Sequence, residues 1–518
     1  MPMFNAADFL VHRHTREEQT GEKLALIGSR ELTYRQLSER TARVAAGLQA
    51  LGLRRDDRVL LVMADDIEMA TTILAAFHAG LVAVPVSTML NGEELEKIVR
   101  DSGARVVVAT PEFLAAAVPA ATGSPDVTHL IVTGSDLPRI PGGPAVSRWA
   151  ELDGPITAPV ATDPDSWALW LYTSGTTGTP KAAMHRHANI RHVYDTYGRR
   201  TLGIGAQDRC LSVAKMFFAY GIGNSLIFPL AAGATSILQP LLPTPATMAE
   251  RLINAAPTLF FGVPTFYSKL VKSGLAADAF ATVRLCVSAG EVLPEALHRS
   301  FGEHFGVDIL DGIGSTEALH IFLSNSPGDI HPGSTGRPVP GYRVEIRDAE
   351  GHRVPPGTPG DLYVAGESIA QGYWRQTDAS RTVYQGSWLR TGDTFVLDES
   401  GYFHCLGRSN DLLKAGGIWV SPGEVEARLL EHEAVAEAAV VGIPDSDELD
   451  IPVAVVVPAP GHADVTADTL IAWCHAGLAH FKCPRSIEFT TELPKTSTGK
   501  IQHFRIREHL LTRSEARS

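Results

Sequence analysis

The segment Tyr172-Thr173-Ser174-Gly175-Thr176-Thr177-Gly178-Thr179-Pro180-Lys181 is equipped to hold a phosphate chain. Its glycines let backbone N–H groups come close to phosphate oxygens, its Ser and Thr hydroxyls add donors, and Lys181 adds a cation. An apolar run from Trp167 to Leu171 precedes it and reads as a buried strand, and a helix is expected after it. This is not the P-loop of NTPases, because Pro180 separates Gly178 from the lysine and Ala182 follows where that motif has Ser or Thr. Metal must therefore be bound elsewhere. An ordinary Ser/Thr/Gly surface loop has the same composition, so the nucleotide reading depends on other segments.

Three further segments carry usable chemistry. Asp311-Gly312-Ile313-Gly314-Ser315-Thr316-Glu317 follows an apolar stretch around Ile309 and places a carboxylate beside hydroxyls at a strand end. Such a carboxylate can ligate magnesium shared with substrate phosphates, or it can merely complement a helix N-terminus. Trp388-Leu389-Arg390-Thr391-Gly392-Asp393 sets an acceptor carboxylate beside a tight turn, which suits a ribose diol and equally a solvated loop. Leu493-Pro494-Lys495-Thr496-Ser497-Thr498-Gly499-Lys500 ends on a lysine that, alone, reads as solvated charge.

Together and in this order, these segments resemble the ANL superfamily of adenylate-forming enzymes, which holds acyl-CoA and aryl-CoA ligases, stand-alone adenylation domains and firefly-type luciferases. The resemblance spans essentially the whole chain. It implies ATP, Mg²⁺ and coenzyme A as cofactors. By it, Thr173, Ser174, Gly175, Thr176, Thr177, Gly178 and Lys181 hold the β and γ phosphates. Thr316 contacts the α-phosphate region and Glu317 the magnesium. Ser288-Ala289-Gly290-Glu291 lines the adenine, with Asp311, Gly312 and Ile313 also on the nucleotide, and Asp393 and Arg408 bind the ribose hydroxyls. Lys500 is the catalytic lysine of adenylation.

Within the superfamily, Phe217-Phe218-Ala219-Tyr220-Gly221 and the run from Gly312 to Phe322 look most like benzoate-CoA ligases. That likeness places Ala219, Tyr220, Gly314, His320 and Ile321 around an aromatic acid, with Lys414 approaching from a small domain. Flat rings bury well against aromatic and aliphatic walls, and a benzoate needs its carboxylate near a cation or donor, which His320 can supply. Phe217, Phe218 and Tyr220 would equally serve as core. The sequence departs from the family in having Ala182 where Gly is usual, Ile313 where many relatives have Tyr, and Asn410 at the hinge where Asp is common.

The implied reaction has two steps. A carboxylate attacks the α-phosphate of ATP to give an aryl-adenylate and pyrophosphate, with charge neutralised around Glu317, Lys181 and Lys500. The small domain then turns about Asn410, withdraws Lys500, and presents Lys414 to Val420, with Gly416 and Gly417, to the pantetheine of CoA. Loading of a carrier-protein thiol, an aliphatic acyl-CoA ligase and a non-catalytic nucleotide binder are the competing readings. The absence of a carrier domain before Ser518 favours free CoA.

The elements that must position these groups follow from composition and pattern. A chain of 518 residues exceeds one hydrophobic core. Short β-rich runs (Arg58 to Met63, Val82 to Val86, Arg105 to Ala109, His129 to Thr133) alternate with helical stretches such as Glu68 to Ala79. The pattern predicts an α/β fold, with a large N-terminal domain of helix-covered, mostly parallel sheets. A β-rich subdomain begins at Arg343, and a small, mobile α+β C-terminal domain follows a boundary near Asn410, giving domains 1–409 and 410–518. The net charge of -13 argues against nucleic acid as a partner. The most apolar window, Ile73 to Val86, is broken by His78, Gly80 and Pro85, so no membrane span is expected. Five scattered cysteines and an N-terminus unlike a signal peptide suit a reducing cytoplasm. The expected partners are a small aromatic acid, ATP and CoA, and a homodimer is compatible with the sequence.

Overall fold

The runs Val59 to Val62 and Val106 to Val108 offer water no polar face, so a sheet built from them must be covered on both sides. In the computed structural model, which describes residues 3–16, 18–174, 180–408, 413–415, 418–444, 450–495 and 501–515, these runs are central strands. The chain divides into two compact units. The first is Met1–Pro332 with Gly336–Arg343 and Val364–Leu389; the second is Gly333–Thr335 with Val344–Tyr363 and Arg390–Ser518. The expected hinge residue Asn410 lies outside the described residues.

The first unit holds two sheets. A seven-stranded sheet runs Ala145–Arg148, His129–Val132, Val106–Ala109, Arg58–Val62, Val82–Pro85, Trp167–Ser174, Pro180–Arg186, parallel except for its last pair. A nine-stranded sheet has the parallel strands Ile309–Gly314, Leu285–Ser288, Leu259–Gly262, Arg209–Ser212, Thr235–Ile237 and Leu24–Ile27 at its centre. The antiparallel strand Ile321–Ser324 lies beside Ile309–Gly314. Helices start where the sequence supplies caps: Asp66 opens Ile67–His78, and Asn91 and Glu94 form a capping box on Gly92–Ser102.

The helix expected directly after the phosphate segment is instead a strand. Pro180–Arg186 pairs antiparallel with Trp167–Ser174, with Thr173 opposite Lys181, and the helix His187–Val193 comes only afterwards. Ala182, Ala183 and Met184 are good helix formers, but pairing with a buried strand overrides that preference.

Arg343–Arg347, Gly360–Ala365, Trp388–Leu397 and Phe403–Arg408 belong to a five-stranded sheet. Farther on, Val435–Pro444 pairs antiparallel with Asp450–Pro458, which pairs parallel with Ser486–Phe489. Period-two alternation gives this small sheet two buried faces. Val440, Ala454 and Val456 pack with Leu429 and Leu470, while Val441, Val453 and Val455 pack with Ile506 and Leu510. The cysteines carry no disulfide. Among the described residues, no helix is long and apolar enough to cross a membrane.

Leu60 is fully buried between the helix layers of the seven-stranded sheet. Leu60→Ala is expected to cost about 2–5 kcal/mol, seen as a lower urea midpoint, because the surrounding structure relaxes only partly into the cavity. A loss below about 0.5 kcal/mol, as at a surface position, would contradict this packing.

Candidate functional site

Lys181 is the second residue of the strand Pro180–Arg186, so its position is set by the hairpin rather than by a free loop. A later piece of chain runs along that strand. Trp374 N donates to Ala182 O at 3.0 Å, Met184 N to Gly372 O at 3.0 Å, and Gln371 N to Met184 O at 3.0 Å. This pairing brings Tyr373 beside Lys181, whose Nζ stands 5.7 Å from the ring centroid. The Tyr373 hydroxyl then donates to Glu317 Oε1 at 2.7 Å. The predicted phosphate cation and the predicted metal carboxylate therefore meet on two sides of one tyrosine. Thr173 and Ser174 end the preceding strand, while Gly175, Thr176, Thr177 and Gly178 lie outside the described residues.

Glu317 sits on a turn held carbonyl by carbonyl. His185 Nε2 lies 2.8 Å from Thr316 O, Ala370 N donates to Glu317 O at 2.8 Å, and Ser368 Oγ donates to Ala318 O at 2.7 Å. The turn continues into Leu319, which is left-handed at φ 67 although it is not glycine. That conformation costs roughly 1–2 kcal/mol, and three hydrogen bonds to backbone carbonyls at about 1 kcal/mol each suffice to hold it. Gly314 belongs to the same packing, since a Cβ there would lie 2.5 Å from His320 O. Gly312 is similarly close to Leu323 O, and Ile313 lies between them on the strand Ile309–Gly314.

Glu317 fits a hard divalent cation such as Mg²⁺. Among the described residues, no cluster of three or more His, Cys, Asp or Glu side chains is arranged for a metal. A single carboxylate with a neighbouring hydroxyl is the donor set of an ion that takes its other ligands from phosphates and water. Next to it, the buried Tyr384 hydroxyl has no hydrogen-bond partner, and its ring lies 5.2 Å from that of Tyr373.

The parallel strands Leu285–Ser288 and Ile309–Gly314 place Ser288 opposite Asp311. The Ser288 hydroxyl and Asp311 Oδ1 are buried without partners, and burial pushes the Asp311 carboxyl well above the usual range. Ala289 and Gly290 follow directly, with Gly290 at φ 94, and Glu291 is exposed. Orphaned polar groups at the carboxyl ends of parallel strands are where open α/β sheets take ligands.

Three residues after Glu317, His320 closes an aromatic box. Its ring lies 4.5 Å from Phe228 and 5.5 Å from each of Tyr197 and Tyr220, centroid to centroid. Nε2 is 3.1 Å from Asn224 Oδ1, and burial lowers the imidazole pKa to about 3, so His320 is neutral and is no cation for a carboxylate. Asn224 lies on a π-helical segment, Gly223–Ile227, directly after the short helix Ala219–Ile222. Gly223 is needed because a Cβ there would fall 2.2 Å from His320 Cδ2. The Tyr220 hydroxyl donates to Val287 O at 3.0 Å, Ala219 is buried, and Ile321 opens the next strand.

In the second unit, Asp393 is not beside a tight turn but within the strand Trp388–Leu397, paired with Arg408. Gly392, directly before Asp393, is at φ 77, and the strand's register with Phe403–Arg408 shifts between Thr394 and Phe395. Arg408 Nε lies 3.2 Å from Asp393 Oδ1, and the carboxylate is largely buried. Lys414 stands opposite Trp419 in a hairpin, while Gly416, Gly417 and Lys500 lie outside the described residues.

Tyr373, His185, Asn189 and Asn224 were not among the residues singled out from sequence. Tyr373 meets Glu317 across 56 residues and His185 meets Thr316 across 131, so no local pattern reveals either contact.

The AMP-binding enzyme family matches residues 13–374, and the AMP-binding enzyme C-terminal domain matches residues 424–500. The chain belongs to the AMP-binding enzymes. It is 42% identical to benzoate--CoA ligase of Thauera aromatica over 509 residues, 97% of this chain and 96% of that protein. Among solved structures it resembles the anthranilate CoA ligase AuaEII in complex with anthranoyl-AMP, with a TM-score of 0.93 and 37% identity over 99% of each chain. It also resembles a benzoate CoA ligase from Burkholderia xenovorans LB400, with a TM-score of 0.87 and 41% identity over 98% of this chain and 100% of that one.

The buried histidines of this AMP-binding enzyme give a pH signature. Desolvation lowers His185 to about 4, and His187 and His320 to about 3. Below the ordinary value near 6.5 the unfolded chain takes up protons that the folded chain refuses, so stability is full above ~6.5 and falls as the pH drops towards 4. Thermal unfolding is expected to hold level from about pH 8 to 7 and then fall steadily below ~6.5. A melting temperature unchanged down to pH ~4.5 would contradict the neutral assignment.

Proposed function

We propose that this protein is an ATP-dependent aryl-acid–CoA ligase, activating benzoate or a substituted benzoate as its acyl-adenylate and passing the acyl group to CoA. The observation that carries this reading is the turn Glu317-Ala318-Leu319-His320. It sets a carboxylate on the tyrosine that also faces Lys181 at one end and an aromatic box at the other, which supports a ring acid and a phosphate chain meeting across one turn.

In the first step the aryl carboxylate attacks the α-phosphorus, the bond to the β-phosphate breaks, and pyrophosphate leaves with the electron pair. Lys181 and the hydroxyls of Thr173 and Thr316 hold phosphate oxygens in line, so positioning and charge neutralisation do the catalytic work. When bound at Glu317, Mg²⁺ adds Lewis-acid stabilisation to the phosphate oxygens. Lys500 supplies a further cation to this step.

In the second step the CoA thiolate adds to the acyl carbonyl and AMP departs, giving aryl-CoA. Asp393 and Arg408 hold the ribose diol. Residues 1–409 and 410–518 act as the two bodies whose reorientation about Asn410 exchanges Lys500 for the segment from Lys414 to Val420. His320, neutral in its box, packs against the ring and can offer at most an N–H. The unpaired cysteines and the CoA thiol both suit a reducing compartment, and this reading puts the protein in the cytoplasm.

AMP release should depend on an acid of the benzoate type and rise with CoA, across a panel including cinnamate and aliphatic acids. Pyrophosphate exchange without thioester formation would point instead to a carrier-protein acceptor. Lys500→Ala is expected to slow adenylation by on the order of 10²-fold or more. The same variant should still make thioester from supplied benzoyl-AMP, and equal loss of both half-reactions would overturn the division of labour.

A further inference from the structure

We infer that His185 is a positioning residue for the magnesium carboxylate, acting through the Thr316 carbonyl. The inference rests on the adenylating reading of the site. The chain of contacts begins at Asn189, whose amide orientation is settled by partners with only one role. Arg186 Nε donates to its Oδ1 at 3.0 Å, and its Nδ2 donates to Ser368 O at 2.9 Å. The same Nδ2 lies 3.0 Å from His185 Nδ1, which must accept. The ring proton is therefore on Nε2, and Nε2–H donates to Thr316 O at 2.8 Å.

Three features make this more than core packing. His185 and Asn189 are both fully buried, so these bonds do not compete with water. His185 lies on the strand that carries Lys181, four residues later, so the same element sets the phosphate cation and the turn bearing Glu317. The carbonyl it holds is the first of three successive carbonyls pinned ahead of the left-handed Leu319. A slack bond there lets the turn relax and moves Glu317 away from the phosphates.

The test compares His185→Leu, which keeps volume but loses the donor, with His185→Gln, whose amide N–H can reach the same carbonyl. Binding of a non-hydrolysable ATP analogue would be measured with and without Mg²⁺, beside both half-reactions. His185→Leu is expected to lose on the order of 10-fold in Mg²⁺-dependent analogue binding, as loss of an outer hydrogen-bond partner typically costs, and a similar factor in pyrophosphate release. The Michaelis constant for the aryl acid and thioester formation from supplied acyl-AMP should hold, and His185→Gln should recover most of the loss. If His185→Leu folds and binds the analogue with unchanged Mg²⁺ dependence, or if His185→Gln is as impaired as His185→Leu, the inference is overturned. Failure of the wild-type protein to release pyrophosphate with any aryl acid would count against the ligase reading alone, since analogue binding still reports on the turn.

Discussion

The hydrogen bond from the Tyr373 hydroxyl to Glu317 is the contact on which the arrangement of the first unit's site depends. Lys181 belongs to a strand of the seven-stranded sheet and Glu317 to a turn between two strands of the nine-stranded sheet. Through the hydrogen bond a carboxylate and a cation share one tyrosine, Glu317 accepting from its hydroxyl and Lys181 Nζ standing 5.7 Å from its ring centroid. A direct Lys–Glu ion pair would have satisfied both charges and left neither for a ligand. A tyrosine between them keeps both available, because its hydroxyl occupies one carboxylate oxygen and its face lies towards the ammonium.

This contact is held in turn by backbone geometry. Tyr373 is aligned by the pairing of residues 371–374 with the strand after the phosphate segment, and Glu317 by captured carbonyls on a strained turn. Strain at Leu319 needs surrounding structure that allows one answer, and buried neutral histidines on both sides of the turn provide it. His320 and His185 thus share a physical state with different uses: one closes an aromatic box, the other holds a carbonyl.

Much of this was legible in the sequence, and what was not had physical causes. The apolar runs became strands within a residue or so of where they read, while the segment from Asp311 to Glu317, read as following the strand around Ile309, begins inside it: Ile309–Gly314 is strand and Glu317 lies on the turn beyond. A helix was expected directly after Lys181, and Ala182, Ala183 and Met184 do favour one locally, but long-range pairing makes Pro180–Arg186 a strand. Asp393 was read beside a turn because Gly392 punctuates the sequence, yet a strand pairing with Arg408 carries it through. Tyr373 and His185 leave no local signal, since an aromatic or a histidine in an apolar stretch looks like core until the fold brings its partner.

The most direct measurement is a double-mutant cycle between Tyr373→Phe and Glu317→Ala, read on aryl-acid-dependent pyrophosphate release. If the hydroxyl acts by holding the carboxylate, the double variant should be no slower than Glu317→Ala alone, because the second change removes a contact already lost. Losses that simply multiply would show that Tyr373 and Glu317 act independently, and would contradict the central role given to their hydrogen bond.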